Sequence, residues 1–265
     1  MCKILDTIIQ EPVASILFHL DKAQFGSFAC SQAQNEFETL VDSLQTEQIG
    51  QMRFRHQIAI LKRHVFEKRG IKYGACPRDE VITLTGTLLN KQGACLGLTA
   101  LYFALADVVS ICIRPLLYEG HITTCHAGVA PPQRIEVSCR GAVLSEKITK
   151  KRHHAGSSQP LVLTKEQFVA VYLSNQAAFV FAKQGNLIKA LETLNLAIDL
   201  FPTYYGAWIN RASVLMLAGN SEGARDSLER VFNLNPKGRF RETANLLYEK
   251  LNGRANYFTN STMLQ

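Results

Sequence analysis

The stretch from Gly185 to Pro236 repeats itself, and this limits the fold more sharply than any other feature. GNLIKALETLNLAIDLFP (185–202) set over GNSEGARDSLERVFNLNP (219–236) aligns Gly185 with Gly219, Ala190 with Ala224, Leu194 with Leu228 and Pro202 with Pro236, each pair 34 residues apart. A period of this length is a pair of antiparallel helices per unit, stacked so that neighbours bury what one pair cannot. NQAAFVFAKQG and AWINRASVLMLAG are the first helices of the two units, with small Ala178 and Ala212 where paired helices cross. Glycine falls at the turn between helices, and proline, which cannot continue a helix, closes each unit. RETANLLYEKLNG then reads as a further helix capping the stack. Two units are fewer than usually stand alone, so the module is expected to dock on the rest of the chain or on a partner.

The part before Gln159 follows a different pattern. Phe54, Ile58, Leu61 and Val65 recur at helical spacing, with Arg55, Lys62 and Arg63 on the opposite face. Residues 12–48 hold further helical segments punctuated by Gly26 and Ser27. KYGACPRDEVITLTGT reads as a long loop, and the apolar run from Cys95 to about Ser110 as a buried helix. ICIRPLLY, HITTCHA and RIEVSC read as strands, the last two joined by a turn at AGVAPPQ. The expected organisation is a helical segment at 1–49, a mixed domain at 50–158 and the repeats with their cap at 159–265. KITKKRHH, leading into AGSSQP, is expected to be a solvated linker.

Composition narrows the function classes. No run of about 18 uncharged apolar residues occurs, and Asp6 and Glu11 interrupt the start, so neither a membrane span nor a cleaved leader is expected. The chain is therefore expected in the cytoplasm. Seven cysteines, at 2, 30, 76, 95, 112, 125 and 139, include no CxxC pair, which argues against a disulfide scaffold or zinc ribbon and for cysteines that mostly serve as small buried hydrophobes. Cys125, His126 and Cys139 match no standard ligand spacing. No metal and no cofactor is expected. The formal charge of +7 comes from dispersed basic residues, so nucleic acid is not the expected partner.

KQGACLGLTALYFALAD places Cys95 where a helix begins. Unpaired backbone N–H groups and the helix dipole favour thiolate over thiol there. Small Gly93 and Ala94 leave room for a carbonyl to approach, with backbone N–H groups around Ala94 and Cys95, and the Gln92 amide, as oxyanion donors. A thiolate nucleophile needs an imidazole to carry the proton and a third group to orient it. His121 and His126 lie on one strand and point to opposite faces, so only one can face the thiol. Setting His121 opposite Glu136 brings a carboxylate beside the ring, which gives Cys95, His121 and Glu136 as nucleophile, base and orienter, with His126 as the alternative base.

The order GACLGLTALYFALA, YEGHITTCH, RIEVSCRG resembles the bacterial transglutaminase-like family that carries C-terminal tetratricopeptide repeats. That family has a Gly-x-Cys-Leu-Ser-Leu stretch, a Gly-His pair and an Ile-Glu dipeptide before a Lys-Gly or similar step. Here these are Gly93 to Leu98, Gly120 with His121, and Ile135 with Glu136 followed by Arg140 and Gly141. HVFEKRGIKYG is also similar to the family's segment upstream of the cysteine, and the resemblance spans roughly residues 50–260. It implies an α+β chain, with a papain- or transglutaminase-like first domain whose cysteine helix packs on the sheet carrying histidine and acid, followed by all-α repeats. Gly97 stands where that family has serine, and Ile122 where it has an aromatic residue. The implied activity is cysteine-dependent attack on an amide or acyl bond of a protein or peptide, as protease, amidase or transglutaminase-type acyltransferase, with the repeats binding a peptide or protein partner. The competing expectation is a non-catalytic scaffold.

Overall fold

The computed structural model describes residues 10–74, 81–145, 147–148, 151 and 159–253. The linker expected at KITKKRHHAGSSQP falls largely outside them, as do Cys2 and Cys76. The chain divides into two compact units, one of residues 1–155 with 159–165, the other of residues 156–158 with 166–265.

The first unit opens with α1 (Val13–Thr46), a long helix broken at Gly26, whose φ of 76° leaves the helical region. Glycine adopts that conformation without the Cβ clash other residues meet. Next come α2 (Phe54–Lys62), continued as a wider π turn over Arg63–Lys68, then β1 (Lys72–Tyr73), α3 (Leu84–Asn90), β2 (Gln92–Gly93) and α4 (Cys95–Val108). The apolar stripe of α2 is buried at Ile58 and Leu61 and continues to Val65. Buried Asp21 on α1 accepts a hydrogen bond from the Thr85 N–H at 2.9 Å, which ties α3 to α1.

Five short strands follow: β3 (Ile113–Tyr118), β4 (His121–His126), β5 (Gln133–Glu136), β6 (Ala142–Leu144) and β7 (Leu161–Val162). They form one antiparallel sheet in the order β6-β5-β4-β3-β7. Tyr118 pairs with His121, so the β3–β4 loop is only Glu119 and Gly120, and Gly120 takes the positive φ of 76° that this turn requires. α4 packs against β3 and β4. Nearly every side chain from Leu96 to Ala106 is buried, which explains its all-round apolar sequence.

These elements correct the expected fold class. Helices make up 66% of the described residues, and the one small antiparallel sheet of five strands does not define a papain- or transglutaminase-like domain, so the α+β description fits only loosely. Two local effects separate expectation from observation. The segment read as a loop ahead of Cys95 contains α3, capped by the Thr83 side chain on the Gly86 N–H at 3.1 Å. The strand read through RIEVSC stops at Glu136, because Val137–Cys139 coils into a 3-10 turn.

The second unit comprises α5 (Lys165–Gln176), extended by a π turn over Ala177–Phe181, then α6 (Leu187–Leu200), α7 (Tyr205–Leu217), α8 (Ser221–Asn233) and α9 (Gly238–Leu251). The 34-residue period reappears atom by atom. Gly185 and Gly219 take φ of 77° and 74°. The next residues, Asn186 and Asn220, cap α6 and α8 through side-chain bonds to the Lys189 N–H at 3.1 Å and the Gly223 N–H at 2.8 Å. Ala190, Ala224, Leu194 and Leu228 are all fully buried. Asn220→Ala should cost about 1 kcal/mol, the usual worth of such a cap, read as a lower urea midpoint. An unchanged midpoint would show that the cap is redundant. Among the described residues no helix is long and apolar enough to cross a membrane.

Candidate active site

β2 runs directly into α4, so Cys95 occupies the first turn of a 14-residue helix whose start carries no side-chain cap and no acidic residue. Its thiol is half-buried. The open N–H groups of that turn and the dipole behind them favour an anion at this position.

His121 begins β4 and Glu136 ends β5, and both are buried, Glu136 completely. The His121 Nε2 lies 3.2 and 3.1 Å from the two carboxylate oxygens of Glu136. The Cys95 thiol lies close enough to His121 to act on its charge. With Nε2 engaged by the carboxylate, Nδ1 is the ring nitrogen left for sulfur. Burial pulls the His121 pKa down, but the bonds and charges of Cys95 and Glu136 outweigh it and raise the value from 6.5 to about 9. The ring therefore keeps its proton through neutral pH.

The cross-strand register differs from the expected one. Thr124 pairs with Ile135 and His126 with Gln133, so His121 is not directly opposite Glu136. Extending that register by one step sets Glu136 against Thr123, which leaves His121 on the neighbouring diagonal of the same face, within reach of a long carboxylate. His126 points away: its ring lies 4.2 Å from the Phe54 ring, centroid to centroid, and burial pushes its pKa down. The structure thus joins His121 and Glu136, sets Cys95 within their electrostatic reach and leaves His126 apart.

The supporting residues are rearranged. The Ala94 N–H is bonded to the Val81 carbonyl at 2.8 Å, so it is not open to an oxyanion. Gln92 packs its amide against Gly74, where an added Cβ would fall 1.8 Å from Nε2. Of the five described cysteines, all free, Cys30 and Cys125 are buried, Cys95 and Cys139 are partly buried and Cys112 is exposed.

Three functional neighbours escape a reading of the sequence. Ser138 donates its Oγ–H at 2.8 Å and its N–H at 3.2 Å to Glu136 Oε1, which fixes the carboxylate. An acid followed two residues later by serine is the signal that could have revealed it. Thr123 accepts the Val137 N–H at 3.2 Å and donates to the Ile135 carbonyl at 2.7 Å, pinning the chain on both sides of Glu136. Tyr73 brings its phenol into the electrostatic field of Cys95 and Glu136, and its strand pairs with the one entering Cys95. Arg140 and Gly141, which complete the Ile-Glu motif, take consecutive left-handed conformations with φ of 55° and 71°. A Cβ on Gly141 would sit 2.6 Å from the Tyr102 hydroxyl, so glycine there is a packing requirement.

No family model matches the chain. One curated similarity is to an uncharacterized protein of Methanocaldococcus jannaschii, 46% identical over 43 residues, which is 16% of this chain and 50% of that protein. The match thus spans about half the length of this curated relative and assigns no activity.

Proposed function

We propose that this chain is a thiol enzyme acting on an amide or related acyl bond. The observation that carries the reading is the buried His121–Glu136 pair, electrostatically coupled to a half-buried cysteine at an uncapped helix start. In the proposed cycle the Cys95 thiolate attacks the carbonyl carbon, forming the S–C bond while the C=O pair moves onto oxygen. Collapse breaks the bond to the leaving amine, which takes its proton from the His121 imidazolium. Water or a second amine then gives its proton back to His121 as it attacks the thioester, releasing the acid or a new amide and restoring the thiolate. Glu136 holds the ring and stabilises its charge throughout. The motif order similar to the transglutaminase-like family adds support for the chemistry. We further propose that the repeat unit, with Ile188 76% and Leu217 53% exposed, engages a protein or peptide partner.

The test is alkylation by iodoacetamide between pH 5 and 9, resolved for each cysteine by mass spectrometry. Cys95 should react at least about tenfold faster than Cys112 at pH 6, as the nucleophile role requires. His121→Ala should erase that advantage, and Cys95→Ala should remove the fast site while leaving the circular dichroism spectrum unchanged. Equal rates at Cys95 and Cys112 would sink the enzyme reading and favour the scaffold.

A further inference from the structure

The tetrahedral intermediate of acyl transfer needs more than one hydrogen-bond donor at its oxygen. Beside this thiol one main-chain donor is already committed. Ala94, the residue before Cys95, has its N–H committed to the Val81 carbonyl, which leaves the Cys95 N–H as the neighbouring main-chain donor. A side chain beside the thiol can supply a further donor.

Tyr73 is placed to supply it. β1 runs parallel to β2, with Tyr73 paired to Gly93 two residues before the thiol. The Lys72 N–H bonds the Lys91 carbonyl at 2.9 Å and the Gly74 N–H bonds the Gly93 carbonyl at 3.1 Å, so the backbone of Tyr73 is pinned on both sides. β1 also packs against Val137–Cys139, the turn that follows Glu136, so the tyrosine lies between the approach to the nucleophile and the acid-bearing segment. Tyr73 is 39% exposed. Among the described residues its hydroxyl has no hydrogen-bond partner, and burial, followed by the charges of Cys95, Glu136 and Cys139, raises its pKa. The phenol therefore remains a proton donor with its bond unspent.

We propose that the Tyr73 hydroxyl is the second oxyanion donor of this site, hydrogen-bonding the carbonyl oxygen of the acyl group as Cys95 attacks it. Tyr73 is then a catalytic residue that touches the reacting atoms only in the acyl-transfer step. The inference rests on the thiol-enzyme reading above, and its test separates the two.

Two probes of the same thiol make the separation. With 4-nitrophenyl acetate the Cys95 sulfur attacks the ester carbon, the carbonyl pair moves onto oxygen, and collapse expels 4-nitrophenolate and leaves acetyl-Cys95. Iodoacetamide alkylates the same sulfur by displacing iodide at a saturated carbon and forms no oxyanion. Tyr73→Phe keeps the ring and removes only the hydroxyl. It should lower the burst rate of 4-nitrophenolate release by about tenfold to a hundredfold, in the range of a lost oxyanion donor, while leaving the alkylation rate of Cys95 within about twofold. Gln92→Ala serves as the comparison, since the Gln92 amide is the other side-chain candidate at this rim. An unchanged burst in Tyr73→Phe, an equal fall in both probes, or a loss confined to Gln92→Ala would overturn the assignment. A wild-type Cys95 that reacts with neither probe faster than Cys112 would overturn the thiol-enzyme reading and this inference with it.

Discussion

Glu136→Ala should destabilise the protein by about 3–5 kcal/mol in urea denaturation, the cost of removing one partner from a buried ionic pair. Glu136 is fully buried and accepts from the His121 Nε2, the Ser138 N–H and the Ser138 hydroxyl. Alanine leaves all of these donors without their acceptor in a space that water does not fill easily. Glu136→Gln tests the charge separately. Its amide oxygen still accepts from Ser138, so the loop keeps its anchor, but the negative charge beside the imidazole is gone. Burial, the largest influence on His121 and the one that lowers its pKa, is then opposed by Cys95 alone. The His121 pKa should fall from about 9, seen as a displaced titration of its ring protons by NMR. The sign for stability follows from the raised value. In the wild type the protonated pair contributes fully below the unfolded-state value near 6.5, and the contribution is lost as pH rises through about 9. The stability gap between wild type and Glu136→Gln should therefore be widest at pH 5.5–6.5 and narrow by pH 9.5. An equal gap at both ends would mean that the pair is not ionic.

The repeat unit was legible because its signals are local. Left-handed glycines and asparagine caps depend on a few neighbouring residues, and both recur at 34-residue spacing. The start of α4 at Cys95 was legible for the same reason, as a change from small and polar residues to continuous apolar ones. The sheet was not, because register is set by where each strand stops. The 3-10 turn at Val137 ends β5 early, and the partners that fix it, Thr123 and Ser138, act across a distance or through a side chain. A carboxylate can still reach the imidazole from the diagonal, so His121 and Glu136 meet although the expected register is displaced. The loss of Ala94 as a donor was invisible for a related reason. Its N–H is taken by the carbonyl of Val81, thirteen residues earlier in the chain.

Gly97→Ser should destabilise the protein by about 3 kcal/mol or more, at the upper end of what overpacking a filled interior costs. Intrinsic propensity argues for the substitution. Replacing a glycine inside a helix normally gains up to about 1 kcal/mol. Here packing wins. A Cβ at residue 97 would fall 2.2 Å from Thr87 Oγ1, 2.5 Å from the Val81 carbonyl oxygen and 3.1 Å from the Thr83 carbonyl oxygen. Two of these atoms are backbone, and all are held by bonds of their own. Val81 accepts from the Ala94 N–H at 2.8 Å, and Thr83 accepts from the Thr87 hydroxyl at 2.7 Å. The strain is relieved only by lifting the first turn of α4 away from α3, and that turn carries Cys95. The substitution should therefore also reduce the His121-dependent alkylation of Cys95, which a purely global loss of stability would not do below the unfolding transition. Thr87→Ala in the same chain removes one of the three contacts and should recover part of the stability. Gly185→Ala gives the contrast, because a Cβ there meets nothing within 4 Å and the only penalty is the positive φ of 77°. That variant should lose about 1–2 kcal/mol with Cys95 reactivity intact. A Gly97→Ser protein as stable as wild type would mean that α3 does not clamp the start of the cysteine helix, and residue 97 would then have room for a hydroxymethyl group.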